Sequence, residues 1–263
     1  MSSSPCPERM RLFDSHAHLD FPQFDPDRER VVRELEEKGV YVLNVGVDLG
    51  SSRASLELAH RHRNIFAACG VHPHDAKEFS EDTLKELAAL LDQGAVAVGE
   101  CGLDYYRDLS PREDQRRAFR AQLELAVEKG LPVIVHLRGE ARDELLEILR
   151  EVNPRKGVIH AFSAAHGHPR DFLDLGFHIG IGGPVTYKKN AALRALLREI
   201  PLERLLAETD SPYLPPEPFR GRRNDPGKVR LVIEKIAEVL RISPNEVAEI
   251  TLRNACDLFG ILG

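Results

Sequence analysis

The sequence has no tryptophan, only four cysteines and no long apolar run among its 263 residues. No apolar run approaches the roughly 18 residues that a membrane-spanning helix needs, so we expect no membrane span. Cys6, Cys69, Cys101 and Cys256 are far apart and form no CxxC pair. This spacing argues against a disulfide framework and against a thiolate zinc site, and we expect four reduced thiols. The opening string MSSSPCPERM lacks the apolar stretch of a secretory signal, which predicts a flexible tail over residues 1–10 and a cytoplasmic protein.

The net charge is -6, so the chain as a whole does not attract nucleic acid. A polyanionic substrate would have to be held by a local field, which bound divalent cations can provide. Hydrophobic residues make up 42% of the chain, enough for the sizeable core of a globular enzyme. Nothing in the composition indicates an obligate protein partner.

Eight short β-type runs alternate with helical patterns and begin near residues 11, 40, 65, 95, 132, 157, 177 and 204. Nearly continuous apolar strands separated by helices indicate a parallel sheet that is buried on both faces. Eight such units predict the α/β class and a single (β/α)8 barrel domain over residues 11–263. An open doubly wound sheet is the alternative. A Rossmann fold is disfavoured because no G-x-G-x-x-G follows the first strand.

The clearest helical signal spans residues 111–129. Ser110 is its predicted cap, Glu113 would complete a capping box, and Gly130 is predicted to end it. The spacing of apolar residues places Val127 on the buried face. A second capping signature, SPNE, predicts a further helix near the carboxyl terminus, so that two helices follow the eighth strand.

Imidazole and carboxylate side chains recur at the predicted carboxyl ends of the strands, where barrel enzymes carry their active sites. These residues are His16 and His18 on the first strand, His72 on the third, Glu100 on the fourth, His136 on the fifth, His160 on the sixth and Asp210 on the eighth. Residues two apart on a strand share a face, so the HxH pair can converge on one metal ion. Burying so many polar groups together is costly unless cations compensate them.

Other histidines are expected to lie outside the centre. His166 and His168 also form an HxH pair but fall in a loop, where we expect solvated side chains. His60 and His62 lie in a charged helical stretch and are expected on its wet face. His178 stands early in the seventh strand, which favours a structural role.

The ordered motifs DSHAHLD, GVHPHD, GECGLDYY, LPVIVHLR, HAFS, GGPVTYKKN, ETDSPYLPP and RGRRNDP resemble those of the TatD-type metal-dependent deoxyribonucleases, which are amidohydrolase-like barrel hydrolases. The resemblance extends from Leu12 to Gly260. It departs at Ala161 and Ala164, where family members often carry Cys and Gly, but neither position supplies a family ligand.

The resemblance implies a site of two divalent metal ions that cleaves DNA phosphodiester bonds by activating water, as an exonuclease. It assigns His16, His18 and Asp210 to one ion and His136 and His160 to the other, with Glu100 bridging the two. Asp210 would also accept the proton of the attacking water. Mixed imidazole and carboxylate ligands do not choose among Zn, Mn, Mg, Co and Ni.

Five further side chains near the predicted barrel mouth are candidates for contacts with the substrate. His72 is similar in position to a family residue that could hydrogen-bond a phosphate, although a structural role is the alternative. Arg222 and Arg223, in the long loop after the eighth strand, are candidate phosphate contacts, with a solvated or ion-paired loop as the alternative. Tyr105 and its neighbour Tyr106 could stack a base or pack in the core.

Several other activities remain open at this stage. One is an amidohydrolase that acts on a cyclic amide, although such relatives often bridge their metals with a carboxylated lysine where this chain has Glu100. A second is an ester hydrolase that acts on aminoacyl-tRNA. The alternative from another class is a metal-dependent binding protein without turnover, which the complete ligand set disfavours.

Overall fold

A computed structural model describes residues 10–262. The predicted tail, apart from Met10, lies outside this range together with Cys6. Within the range, the strands are β1 (Leu12–Ala17), β2 (Val40–Val45), β3 (Ile65–Cys69), β4 (Ala97–Asp104), β5 (Val133–Arg138), β6 (Gly157–Ile159), β7 (His178–Ile181) and β8 (Leu205–Ala207). The largest displacement from a predicted start is at β4, which begins at residue 97 rather than 95.

The eight strands form one sheet in sequential order, and each neighbouring pair is parallel. A parallel bridge between Ala17, the last residue of β1, and Ser211, four residues beyond β8, joins the two ends of the sheet. The predicted (β/α)8 barrel is therefore confirmed, and the open-sheet alternative is wrong. We call the junction of β1 with β8 the seam.

The helices of the described range surround the barrel in the expected alternation. They are α1 (Arg28–Lys38), α2 (Leu49–Arg61), α3 (Glu81–Leu91), α4 (Arg112–Lys129), α5 (Arg142–Val152), α6 (Arg170–Leu173), α7 (Ala191–Leu197), α8 (Val229–Leu240) and α9 (Pro244–Phe259). The last two follow β8, as predicted. None of the helices within residues 10–262 is long and apolar enough to cross a membrane.

The last helix packs against the interior of the barrel. Phe13 near the start of β1 stacks on Phe259 of α9, with ring centroids 6.3 Å apart. Leu258 and Phe259 cluster with apolar side chains of the strands, among them Phe13, Ala97 and Ile134 near the amino ends. The helix therefore closes the amino end of the barrel with apolar side chains, which leaves the opposite end available for polar chemistry.

Two predictions for α4 are wrong. Ser110 does not cap the helix, because its hydroxyl donates to the His74 carbonyl oxygen at 2.6 Å. Val127 is 51% exposed, because the buried face of α4 is centred on residues such as Phe119 and Leu123 and Val127 lies beyond the edge of that face. The predicted end is correct, because Gly130 adopts a left-handed φ of 67° there.

Candidate metal centre

The six predicted ligands come together at the carboxyl end of the barrel. His16 lies within β1, and His18 follows that strand directly. His136 lies within β5, and His160 directly follows β6. Glu100 lies in the middle of β4 rather than at its end. Asp210 lies three residues beyond β8 and reaches the others because it sits at the seam.

His16, His18 and Asp210 form one group of potential ligand atoms. The Nε2 atoms of the two histidines are 3.2 Å apart. The Asp210 Oδ1 atom lies 3.5 Å from Nε2 of His18 and 4.0 Å from Nε2 of His16. The three donors therefore face a common point between β1 and the end of β8.

Glu100 faces two different sets of donors with its two oxygen atoms. Its Oε2 lies 3.3 Å from Nε2 of His16 and 3.8 Å from Nε2 of His18. Its Oε1 lies 2.7 Å from Nδ1 of His136 and 3.3 Å from Nε2 of His160. This division between two sets of histidines is the arrangement that a carboxylate needs to bridge two ions.

Glycine in β4 permits the close approach that brings Glu100 to His136. Gly102 has a φ of 150°, and a Cβ atom there would lie 1.9 Å from the His136 carbonyl oxygen. Any side chain at this position would force β4 away from β5. The GECGLD string is thus partly a packing requirement of the strand pair that carries both residues.

The electrostatics of the centre keep its carboxylates ionised. Burial favours the neutral acid, but the charges of His160 and His16 hold the pKa of Glu100 well below its usual range. Burial likewise disfavours a charged imidazole at His160, yet Glu100 and Glu208 raise the pKa of His160 to about 10. For Asp210, contact with His18 outweighs burial and lowers the pKa. The pocket therefore attracts positive charge.

Three of the four histidines predicted as ligands have a partner on the ring nitrogen that faces away from the centre. His18 Nδ1 contacts the Val45 carbonyl oxygen at 2.8 Å. His136 Nε2 lies 3.3 Å from Asp104 Oδ2, and His160 Nδ1 lies 3.2 Å from Glu208 Oε1. Such contacts fix which nitrogen keeps its lone pair for a metal.

The donor set fits divalent metal ions. Bonds of about 2.0–2.2 Å to nitrogen and oxygen place neighbouring ligand atoms roughly 3–3.5 Å apart, close to the separations around Glu100. Within the described residues, three groups of three donors each lie within 4.8 Å of one another: His16, His18 and Asp210; His16, Glu100 and His160; and His72, Glu100 and His136. Two of the groups share Glu100, as a bridged pair of ions requires.

His72 is buried at the rim of this centre. Its Nε2 lies 3.7 Å from Glu100 Oε1, and its Nδ1 accepts the His74 amide hydrogen at 3.1 Å. Burial and the nearby His136 lower its pKa well below the usual value, so the ring is neutral. A neutral ring with Nδ1 accepting carries its proton on Nε2, which makes that atom a donor toward the centre.

Two carboxylates of the centre were not predicted from the sequence. Asp104 ends β4 and contacts both His74, at 2.8 Å, and His136 through Oδ2. Glu208 directly follows β8 and contacts His160. Both lie in motifs of the family resemblance, GECGLDYY and ETDSPYLPP. The feature that could have identified them is a carboxylate at the end of a strand.

The remaining histidines lie outside the ligand groups. His168 is exposed and pairs with Glu199 at 2.7 Å, but His166 is only 6% exposed, so its expected solvation is wrong. The loop folds that ring inward, and burial lowers the pKa of His166 to about 3. His60 is exposed, as expected of a wet face, and contacts the Gln93 carbonyl oxygen. His62, on the same stretch, is half-buried. His178 is buried in β7 away from the centre.

The loop arginines differ in their surroundings. Arg223 donates two hydrogen bonds to the Asp27 carboxylate, at 2.6 and 2.8 Å, and its guanidinium lies over the Phe24 ring. Arg220 lies over the Tyr187 ring at 4.4 Å. Arg222 is exposed on the same loop. The ion-paired alternative thus describes Arg223.

The two tyrosines that follow β4 also have different environments. Tyr105 is buried and its hydroxyl donates to Glu144 at 2.5 Å. Tyr106 is 68% exposed, with the Arg138 guanidinium 4.5 Å from its ring centroid. An exposed aromatic ring therefore lies two residues from Asp104, whose carboxylate contacts His136.

The described cysteines take no part in the centre. Cys69, Cys101 and Cys256 are free thiols. Cys101 follows Glu100 but points away from it, and its Sγ lies 3.8 Å from the Ile134 carbonyl oxygen. Burial raises the pKa of Cys69 to about 12.

The chain is similar over nearly its whole length to known metal-dependent hydrolases. The model of the TatD related DNase family matches residues 13–260. A metal-dependent hydrolase of Bacillus subtilis, YabD, is 41% identical over 256 residues, which cover 95% of this chain and 99% of that protein. The 3'-5' ssDNA/RNA exonuclease TatD of Erwinia amylovora is 38% identical over 260 residues, which cover 95% of this chain and 100% of that protein. The crystal structure of YjjV, a TatD homologue from Escherichia coli K12, matches with a TM-score of 0.88 and 33% identity, covering 97% of this chain and 100% of that one.

Proposed function

The chain belongs to the TatD related DNase family of metal-dependent hydrolases, and from this premise we propose that it hydrolyses phosphodiester bonds of DNA as an exonuclease. The observation that carries the proposal is the division of Glu100 between two sets of histidines, with Oε2 facing His16 at 3.3 Å and Oε1 facing His160 at 3.3 Å. A site that holds two cations side by side suits a phosphodiester, whose hydrolysis develops negative charge on several oxygens at once.

Each residue of the centre has a separate task in this proposal. His16, His18 and Asp210 would hold one ion, His136 and His160 would hold the other, and Glu100 would be shared between them. When bound, the ions would lower the pKa of water and neutralise charge on the phosphate oxygens. The imidazoles of His18, His136 and His160 keep a nitrogen lone pair directed at the centre because outer partners occupy their opposite nitrogens.

Asp210 is the proposed general base. It is ionised and its side chain is 15% exposed, so it can reach both a ligand position and an incoming water molecule. The carboxylate accepts the proton of the attacking water as the water oxygen bonds to phosphorus and the P–O bond to the departing nucleoside breaks, and the departing oxygen takes up a proton from solvent. His72, with its proton on Nε2, donates a hydrogen bond to a phosphate oxygen on the Glu100 side of the centre.

Nucleic acid as the substrate is supported by the rim of the centre. Tyr106 is exposed two residues beyond Asp104, and Tyr213 is 48% exposed three residues beyond Asp210. Aromatic rings of this kind stack unpaired bases. Arg222 adds a positive charge on the same loop as Tyr213. The relative from Erwinia amylovora, a 3'-5' ssDNA/RNA exonuclease, supports the same substrate class.

The deciding experiment supplies the metal-free protein with Mn²⁺, Mg²⁺ or Zn²⁺ in turn. Each form is then incubated with end-labelled single-stranded DNA, end-labelled duplex DNA, a dihydroorotate-like cyclic amide and an aminoacyl-tRNA. Stepwise shortening of labelled DNA supports the proposal. Turnover of the amide or of the ester alone would replace it with that activity, and metal binding without any turnover would indicate a binding protein.

A further inference from the structure

Glu208 is a buried carboxylate that holds two neighbouring residues on another strand end. Its side chain is 1% exposed, directly after β8. The Oε1 atom accepts the Ala161 amide hydrogen at 2.6 Å and lies 3.2 Å from Nδ1 of His160. One oxygen atom therefore contacts both the ring of a proposed ligand and the backbone that follows it.

The neighbouring strand leaves space for this carboxylate. Gly180 lies in β7, and a Cβ atom there would be 2.3 Å from Oε2 of Glu208. Strand β7 supplies none of the proposed ligands. Its contribution to the centre is the space beside Gly180, which the Glu208 side chain fills.

The contact also explains the local backbone at the end of β6. Ala161 has a φ of 46°, a left-handed conformation that a residue with a Cβ seldom adopts. Its amide points at Glu208 in that conformation, which directs the chain so that His160 turns its Nε2 toward Glu100 Oε1 at 3.3 Å. A single carboxylate thus fixes both the ring and the turn.

We propose that Glu208 is a positioning residue for metal binding, which accepts the Nδ1 hydrogen of His160 and so reserves the Nε2 lone pair for the ion shared with His136 and Glu100. The inference rests on the metal ions of the proposed function and not on its substrate. Glu208 itself is outside the ligand groups of the described residues.

The test compares metal affinities of the parent protein with those of Glu208→Ala and Glu208→Gln. Metal-free protein is titrated with Mn²⁺ and with Zn²⁺ by calorimetry, and bound metal per chain is counted by mass spectrometry. Loss of an outer partner of a ligating histidine weakens binding by roughly 10–100-fold. We expect that loss at one of two sites, with the ion of His16, His18 and Asp210 retained. Gln, which keeps an oxygen for the Ala161 amide, should fall between Ala and the parent.

A matched control replaces a carboxylate that contacts a histidine outside the centre. Glu199→Gln breaks the contact of Glu199 with His168 on the surface and should leave both affinities unchanged. Gly180→Ala disturbs Glu208 from β7 without altering any carboxylate, and it should weaken the same site as Glu208→Ala. This variant and Glu208→Gln keep the test decisive if Glu208→Ala does not fold.

Two results would overturn the inference: unchanged affinity in Glu208→Gln and Gly180→Ala, or an equal loss at both sites together with a lower unfolding temperature of the metal-free protein. The second result would make Glu208 a structural tie only. Neither result is measured with nucleic acid. If the parent protein binds two ions but does not cleave DNA, the proposed substrate is refuted and the inference about Glu208 is not.

Discussion

The Asp210 amide donates a hydrogen bond of 2.9 Å to the His16 carbonyl oxygen, which joins two proposed ligands from opposite ends of the chain across the seam. Asp210 has a left-handed φ of 56° there. Its position is therefore set by the backbone, and its carboxylate is free to serve the centre. Asn tolerates this conformation as well as Asp does, so Asp210→Asn changes the chemistry without moving the residue.

Asp210→Asn should abolish most of the DNA cleavage while leaving metal bound. The amide keeps one possible oxygen ligand but cannot accept a proton, so turnover should fall by about 100-fold or more, which is what a general base contributes. The measurement is turnover on labelled DNA together with metal content per chain. Cleavage at the parent rate would show that Asp210 is not the base.

Glu100→Ala should release metal as well as activity. Both sets of histidines lose their shared ligand, so the metal content per chain should fall below that of Asp210→Asn in parallel preparations. Circular dichroism of the metal-free variant checks that the barrel is intact. If Glu100→Ala retained two ions, the bridging role would be refuted.

Asp104→Asn should weaken the ion held by His136. Asp104 Oδ1 accepts the amides of Tyr106 and Arg107, which an Asn oxygen can also do. The Asn amide group would then face Nε2 of His136 as a donor and favour the wrong ring tautomer. Metal affinity at one site should drop by roughly 10–100-fold. Asp108→Asn, whose carboxylate pairs with Arg112 on the surface, is the control and should have no effect.

Arg222 and Arg223 should respond differently to replacement by alanine. Exposed Arg222 is available to a phosphate, so its removal should lower the slope of log affinity against log salt concentration by roughly one. Arg223 is engaged with Asp27, so its replacement should reduce stability, by about 1 kcal/mol or less for a partly exposed pair. If the parent and Arg222→Ala had the same slope of log affinity against log salt concentration, Arg222 would be a solvated loop residue that does not contact phosphate.

His178 should make the fold less stable in acid. Burial, and then the charge of Arg204, lowers its pKa from 6.5 to about 4. Between these values the unfolded chain binds a proton that the folded chain does not, so the contribution is complete above pH 6.5 and is lost as the pH falls toward 4. The stability difference between the parent and His178→Gln should shift by about 2 kcal/mol from pH 7 to pH 5 in urea unfolding. A constant difference would contradict the lowered pKa.

The pattern of strands could be predicted from the sequence because each is a short apolar run between helical stretches. The six ligand candidates could be selected from this order of strands and helices, because the carboxyl ends of parallel strands meet at one end of a barrel. This order also separated His16 and His18, at a strand end, from His166 and His168 in a loop. Those inferences needed only the order of elements.

What the sequence could not reveal depends on distances between strands. Ser110 has the residue type of a cap, but a neighbouring loop offers its hydroxyl a carbonyl oxygen at His74. Glu208 stands two residues before Asp210, and nothing local distinguishes a ligand from a residue that orients one. Only the approach of β6 and β7 to β8 shows that Glu208 faces His160.

The seam determines when during synthesis the candidate centre can be completed. Chains fold from the amino terminus as they are synthesised, and the first ligands, His16 and His18, emerge early. They meet Asp210 only after most of the polypeptide is available, because the Ala17–Ser211 bridge joins the first strand to the segment after the last. The centre therefore stays incomplete until the segment after β8 has emerged from the ribosome. The proposed hydrolytic activity would therefore be absent until nearly the whole polypeptide has been synthesised.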